Sequence, residues 1–161
     1  MDLCHQHGMT TMLVTNGTLP KVLEKLDTLP TQLYVSVDAP NKQVFDDVCR
    51  PKWNSGAWEQ FEKTIDLLPS LDTRIVCRHT LMKGVNMSEN HIREFAAIDR
   101  RADPDWIEAK GYVYVGHSRE HLSIDNMPAH EDILAFSESL APQVDMRILS
   151  ESRPSLSLIH I

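Results

Sequence analysis

The run Leu33-Tyr34-Val35-Ser36-Val37-Asp38-Ala39 decides the fold. It is apolar and β-branched at its start and turns polar near its end, the pattern of a buried strand that finishes at a site. Val35 and Val37 favour extended backbone, and so short an apolar run suits the inside of a parallel sheet better than a surface ribbon. Ser36 and Asp38 alternate onto one face at the carboxyl end, where α/β sheets and barrels place their ligands. A local use competes with this reading: Ser36 bonding neighbouring backbone and Asp38 capping the next helix.

Working outward, 11–14 reads as a strand running into Thr15-Asn16-Gly17-Thr18, where the glycine permits a sharp turn and leaves the Asn16 side chain near the strand end. A plain Asn-Gly turn would look the same. A strand over 73–81 again becomes polar, with Arg78 and Thr80 on one face and Cys77, His79 and Leu81 on the other. Residues 106–116 give a fourth strand and its exit, and 145–149 a fifth. Helical pattern separates them: 1–8 as the second half of a helix, 20–30, 41–49, 57–68 with Trp58, Phe61, Ile65 and Leu68 as one core stripe, 89–101, and 128–140. Repeated βα units imply a parallel sheet with right-handed crossovers, either a barrel or an open doubly wound sheet. The tail beyond Ser150 carries no amphipathic pattern, so one domain over 1–150 and an unmatched 151–161 are expected.

Composition narrows the function. The chain has 161 residues, 42% of them hydrophobic and 24% charged, which suits one soluble globular domain or part of a larger one. No stretch has the length of a membrane span, and the opening Met1-Asp2-Leu3-Cys4-His5 lacks a secretion-signal pattern, so the cytoplasm is expected. The net charge of -7 argues against a general nucleic-acid grip and leaves room only for a local basic patch. Cys4, Cys49 and Cys77 are too far apart for a disulfide framework or a close-spaced metal motif, and Cys77 with His79 lacks further ligands. Neither a Gly-rich phosphate loop nor a nucleophile elbow is present. Glu108 and Lys110 share a face in mid-strand; they serve either as an internal salt bridge or, for Lys110, as a nucleophile toward a carbonyl.

The strings Leu13-Val14-Thr15-Asn16-Gly17-Thr18, Gln32-Leu33-Tyr34-Val35-Ser36-Val37-Asp38-Ala39, Arg78-His79-Thr80-Leu81 and Trp106-Ile107-Glu108-Ala109-Lys110-Gly111-Tyr112, with Asn126-Met127-Pro128-Ala129-His130-Glu131, follow one another in this order. In this they resemble the tRNA 4-demethylwybutosine synthase family of radical S-adenosylmethionine enzymes, in its archaeal form, over about 8–150. The resemblance implies the later βα units of a partial TIM-like (β/α)6 barrel. It implies condensation of pyruvate carbons with 1-methylguanosine in phenylalanine tRNA to give 4-demethylwyosine in wybutosine biosynthesis, a lyase-class reaction. S-adenosylmethionine and a 4Fe-4S cluster are the implied cofactors, with an external flavodoxin-like electron donor, no membrane and a monomeric state. By position, Asn16, Ser36 and Asp38, with Arg78, would contact S-adenosylmethionine. Lys110 would hold pyruvate or contact the base, with Glu108 as its charge partner, and Arg78, Lys83, His117 and Arg119 would meet tRNA phosphates.

One departure is large. The family's three closely spaced cysteines have no counterpart here, so no metal ligands are assigned and the chain is expected to lack catalysis by itself. Two rival readings stand beside the radical enzyme: a cluster-free Schiff-base lyase or aldolase using Lys110, and a non-catalytic tRNA-binding remnant.

Overall fold

Leu33, Val35 and Val37 are fully buried while Gln32, Tyr34 and Ser36 between them are only half-buried, so the strand they form, β2 (Gln32–Val37), has one packed face and one open face. The computed structural model describes residues 1–52 and 56–160; Ile161, in the tail, lies outside the described residues. β1 (Met12–Thr15), β2, β3 (Arg74–Leu81) and β4 (Trp106–Gly111) run parallel and adjacent in that order. The predicted βα repeat is therefore observed for these four strands.

Helices cover one face of the sheet. α1 (Asp2–Gln6) ends before Gly8, whose φ of 69° turns the chain toward β1. α2 is confined to Pro20–Leu23, much shorter than the segment expected between the two prolines. α3 (Lys42–Cys49) is capped by Asn41, whose Oδ1 accepts the Val44 N–H at 3.0 Å, and stops where Arg50 enters the left-handed region before Pro51. α4 (Ala57–Leu67), α5 (Glu89–Ala102) and α6 (His130–Leu140) follow. Phe61, Ile65, Ile92, Phe95, Ile133 and Phe136 from these three helices meet Leu33, Val35, Ile75, Cys77, Ile107 and Ala109 in one core. At about 25 cal/mol per Å² of apolar surface removed from water, this packing is the main force holding helices to sheet.

The end of the chain departs from the expected parallel pattern. The fifth strand, β5, spans Ile148–Ser152 rather than 145–149, because Asp145 takes a positive φ of 54° and breaks the extended run before it. The tail is not outside the fold: a turn with Leu156 at φ 50° returns it as β6 (Ser157–His160), antiparallel to both β4 and β5, giving the order β1-β2-β3-β4-β6-β5. Leu158 is fully buried opposite Ala109, which fixes that register. Among the described residues no helix is long and apolar enough to cross a membrane.

Candidate functional site

Strand register stacks the open face in layers. The lowest, Tyr34, Val76 and Trp106, is apolar; the next is Ser36, Arg78 and Glu108; above it lie Thr80 and Lys110 with Ser157 of β6. Asn16 follows the last β1 position, which pairs with Val35, so it stands level with Ser36, and Asp38 stands one step above. Alternation along β2, β3 and β4, with the Asn-Gly turn after β1, thus brings all six candidate residues to one face of the sheet.

Three of them share a cleft. Asn16, Ser36 and Asp38 line a cavity of about 410 Å³ walled on its apolar side by Phe45 and Phe61. The aromatic stripe of α4 is core, as read, yet Phe61 is also cleft wall; it packs on Trp58 and Phe45 with centroids 5.3 and 6.0 Å away. The cleft floor is fixed by close approach. Gly17 has a φ of 71° and a Cβ there would stand 3.1 Å from the Phe61 ring, while its carbonyl accepts a 2.6 Å bond from Thr64 Oγ1.

Each polar group has a defined state. Asn16 Oδ1 accepts from the Thr18 N–H at 3.1 Å and its hydroxyl at 2.8 Å, an Asx-type turn that leaves the amide hydrogens without an acceptor among the described residues. Ser36 does not bond neighbouring backbone; it accepts from Arg78 Nη2 at 3.1 Å. Asp38 does not cap α3, since Asn41 does, and its carboxylate makes no hydrogen bond among the described residues. Arg78 Nε is buried with no hydrogen-bond partner among the described residues. The local alternatives for Ser36 and Asp38 are therefore not what the fold uses.

Lys110 and Glu108 are half-buried, as expected for the open face, but they do not pair with one another. Lys110 Nζ donates 3.1 Å to the Ser155 carbonyl in the β5–β6 turn, and Glu108 forms no ion pair among the described residues. That spacing on one strand points two side chains the same way without bringing their ends together, which corrects the charge-partner expectation. The proposed basic groups also scatter: Lys83 is bound to Asp132 at 3.0 Å, His117 to Glu120 at 3.2 Å, and the Arg119 guanidinium lies 5.1 Å over the Tyr114 ring.

Sequence reading missed two residues. Asn86 is fully buried; its amide donates to the carbonyls of Asp38 at 3.1 Å and Thr80 at 2.8 Å, and its Oδ1 accepts the Met82 N–H at 2.7 Å. It ties the ends of β2 and β3 together directly beneath the site. His79, correctly read on the face opposite Arg78, bonds Asp99 on α5 at 3.0 Å, both wholly buried. The available signal was an aspartate on the apolar stripe of α5, four residues after Phe95 and three before Ala102.

The three cysteines do not converge. Cys4 lies on α1, Cys77 is buried on the helix side, and Cys49 closes α3 at the cleft mouth, where desolvation, then Asp38 and Asp46, push its thiol up to about 12. Burial, then Asp99, raises the Cys77 thiol as well. Among the described residues no cluster of three or more His, Cys, Asp or Glu side chains is placed to hold a metal.

A twisted parallel βα sheet with helices on one face and layered polar side chains on the other defines the class: an open part of a TIM-like barrel with its site at the carboxyl ends of the strands. Comparison with known proteins agrees. The radical SAM superfamily model matches residues 1–96 and the wyosine base formation model residues 101–161, through β6. S-adenosyl-L-methionine-dependent tRNA 4-demethylwyosine synthases of Pyrococcus horikoshii and Methanocaldococcus jannaschii are 43% and 34% identical over 94% and 96% of this chain. The same alignments cover 44% and 47% of those proteins, so the chain spans about half the length of the curated relatives it matches. Among solved structures, TYW1 with a lysine–pyruvate adduct bound matches at TM-score 0.85 and 31% identity, over 99% of this chain and 49% of that one. An archaeal TYW1 matches at TM-score 0.77 and 29% identity, over 99% and 48%. The chain belongs to the radical SAM superfamily, in its tRNA 4-demethylwyosine synthase branch.

The residues present fit one of that superfamily's two cofactors. A nucleoside with an attached amino acid needs donors and acceptors around an apolar slot, which Asn16, Ser36 and Asp38 provide beside Phe45 and Phe61. They do not fit an iron–sulfur cluster, because Cys4, Cys49 and Cys77 do not come together.

Proposed function

We propose that this chain forms the S-adenosylmethionine-binding and substrate-facing part of an enzyme that builds the tricyclic 4-demethylwyosine base from pyruvate and 1-methylguanosine in phenylalanine tRNA, a lyase-class step of wybutosine formation in the cytoplasm. The observation that carries the reading is the cleft at the ends of β1 and β2, lined by Asn16, Ser36 and Asp38 and backed by Arg78. When bound, S-adenosylmethionine supplies the carbon radical of this superfamily's chemistry. The Asn16 amide hydrogens and the Asp38 carboxylate supply one free donor group and one free acceptor group in the cleft, and Arg78 holds Ser36 Oγ in place. A flavodoxin-like donor and a monomeric state complete the reading. No step is assigned to the cysteines of this chain.

Lys110 is the candidate for holding pyruvate or the base. A TYW1 relative carries a lysine–pyruvate adduct, and Lys110 is the lysine that strand register sets on the open face here. Its bond to Ser155 favours a cationic contact with the pyruvate carboxylate over attack on the ketone, which would first require the amine to leave that carbonyl. The chain matches 49% of that relative, so the adduct-forming lysine can also belong to the remainder of the complete protein.

S-adenosylhomocysteine titrated calorimetrically into this chain should bind saturably, about tenfold more weakly to Asp38→Asn (about 1.4 kcal/mol). Undiminished binding by that variant would remove the cleft assignment. Borohydride reduction with labelled pyruvate then decides the lysine: label on Lys110 makes it the imine former, and an unlabelled Lys110 leaves it the cationic contact.

A further inference from the structure

Beside the cleft lies a second, wider chamber of about 910 Å³ that the proposed chemistry does not use. One wall is a face of α3, from Lys42 at its start to Cys49, and the segment after it, with Arg50 and Lys52; the other is the 3-10 turn Gly116–Glu120 and the next residue, with His117 and His121. The two chambers share Cys49, Pro51 and Lys52, so a chain lying in the wide one reaches directly into the narrow one.

The charge in this chamber is asymmetric although the protein is acidic overall. Lys42 is taken by Asp46 at 2.7 Å and His117 by Glu120 at 3.2 Å. Arg50, Lys52 and His121 have no ion pair among the described residues. Glu120 lies below its usual carboxylate range because His117 bonds it, with Lys52 among the more distant cations acting on it across the chamber. A groove holding unneutralised cations on an acidic protein selects a polyanion.

The turn also presents a surface for bases. Val113 and Val115 are 44% and 62% exposed, and between them Tyr114 carries Arg119 over its ring at 5.1 Å. The turn is held rigid from below, where Ser118 Oγ donates 2.7 Å to the Val115 carbonyl and meets Tyr112 Oη at 2.8 Å. Exposed apolar residues around a cation-stacked aromatic cost solubility and suit the face of an unstacked nucleobase.

The geometry points to this chamber and turn as the docking face for single-stranded RNA flanking the modified base: Arg50, Lys52 and His121 grip the phosphodiester backbone, and Tyr114 with Arg119 stacks an adjacent base. The inference rests on the tRNA reading above and names where and how the RNA sits.

The test is fluorescence anisotropy of a labelled anticodon stem-loop RNA with this chain across a salt series. The double variant Arg50→Gln, Lys52→Gln should bind at least about tenfold more weakly, with a log–log salt slope shallower by about 1.4, or about 0.7 for each single-strand phosphate no longer neutralised. Tyr114→Ala should lose about fivefold or more in affinity with its slope unchanged, because stacking releases no counterions. Lys63→Gln, on α4, should change neither. Circular dichroism melts confirm folding, and the single Lys52→Gln, with half the slope change, serves if the double variant melts early. Wild-type slopes in the chamber variants, or a loss confined to Lys63→Gln, would overturn the docking face. A wild-type chain that binds no RNA would instead overturn the tRNA reading of this chain.

Discussion

Arg78 on β3 donates from Nη2 to Ser36 Oγ on β2 at 3.1 Å, while its Nε is buried without a partner among the described residues. The two residues are direct neighbours in the parallel register, so the bond fixes the guanidinium over the open face. Nε is closed off from the cleft, so the part Arg78 plays there is to hold Ser36 Oγ, which does line it. Arg78→Lys keeps the charge but not the planar fork. It is expected to weaken S-adenosylhomocysteine binding about tenfold (about 1.4 kcal/mol) while leaving the melting temperature within a few degrees of wild type, by calorimetry and thermal denaturation. Equal affinity in Arg78→Lys would show that the Arg78–Ser36 bond does not position the cleft.

The buried pair His79 and Asp99 links β3 to α5, with the Phe95 ring 4.4 Å from the imidazole. Removing the carboxylate strands a polar imidazole inside the core. Asp99→Ala is therefore expected to cost about 2–4 kcal/mol, and Asp99→Asn, which can still bond the ring, clearly less. Urea denaturation of the three proteins measures it; equal midpoints for Ala and wild type would show that the pair contributes nothing.

How much of this was legible depends on whether a residue acts within its own strand or across the fold. Ser36, Arg78, Glu108 and Lys110 could be placed together because alternation fixes the face and parallel pairing fixes the level. Their partners could not. Asn86 sits in a turn next to Gly84 and Val85, a setting that reads as ordinary loop; two of its bonds are local, to Thr80 and Met82, and the one that matters here, to the Asp38 carbonyl, exists only once β2 and β3 are side by side. The returning strand β6 was invisible for a related reason, although the strand before it was expected a few residues early. Its residues alternate weakly, and Leu158 becomes a core position only opposite Ala109. The missing ion pair between Glu108 and Lys110 shows the converse limit, since sharing a face does not determine where long side chains end.

Gly111 closes β4 immediately after Lys110, and a Cβ there would stand 2.8 Å from Ile133 Cδ1, 3.1 Å from Pro128 Cγ and 3.2 Å from Leu156 Cβ. Its N–H donates to the Leu156 carbonyl at 2.7 Å, which holds the β5–β6 turn against the strand. Gly111→Ala overpacks this junction. The expected loss is about 1–3 kcal/mol, because the Ile133 end can swing but Pro128 cannot. Chemical denaturation reads the loss, and a variant as stable as wild type would mean that α6 shifts freely.

Asp132 in the first turn of α6 accepts the Ala129 N–H at 2.8 Å and the Lys83 ammonium at 3.0 Å. The backbone bond first, and Lys83 second, hold its carboxyl below the usual aspartate range. A native pKa below the unfolded one, about 3.9, means the stabilisation is present above that value and disappears as the pH falls through the lower native one. Asp132→Asn is expected to flatten the acid limb of the stability curve below about pH 4 and to leave its slope above about pH 6 unchanged. Urea midpoints across that range check it.

Cys49 stands at the mouth shared by the two chambers, and its thiol, pushed up to about 12 from an ordinary 9.0, is held protonated at neutral pH. The raised pKa lowers the thiolate fraction relative to the unfolded chain, partly offset by the greater intrinsic nucleophilicity of a more basic thiolate. Alkylation of native Cys49 by iodoacetamide near pH 8 is expected to run slower than in urea, followed by peptide mass spectrometry. Asp38→Asn removes the larger of the two carboxylate causes and should speed the reaction, whereas a ligand filling the cleft should slow it further. Cys49 is exposed, so reagent reaches it, and alkylation of the native chain at the unfolded rate would show that Asp38 does not act on the thiol.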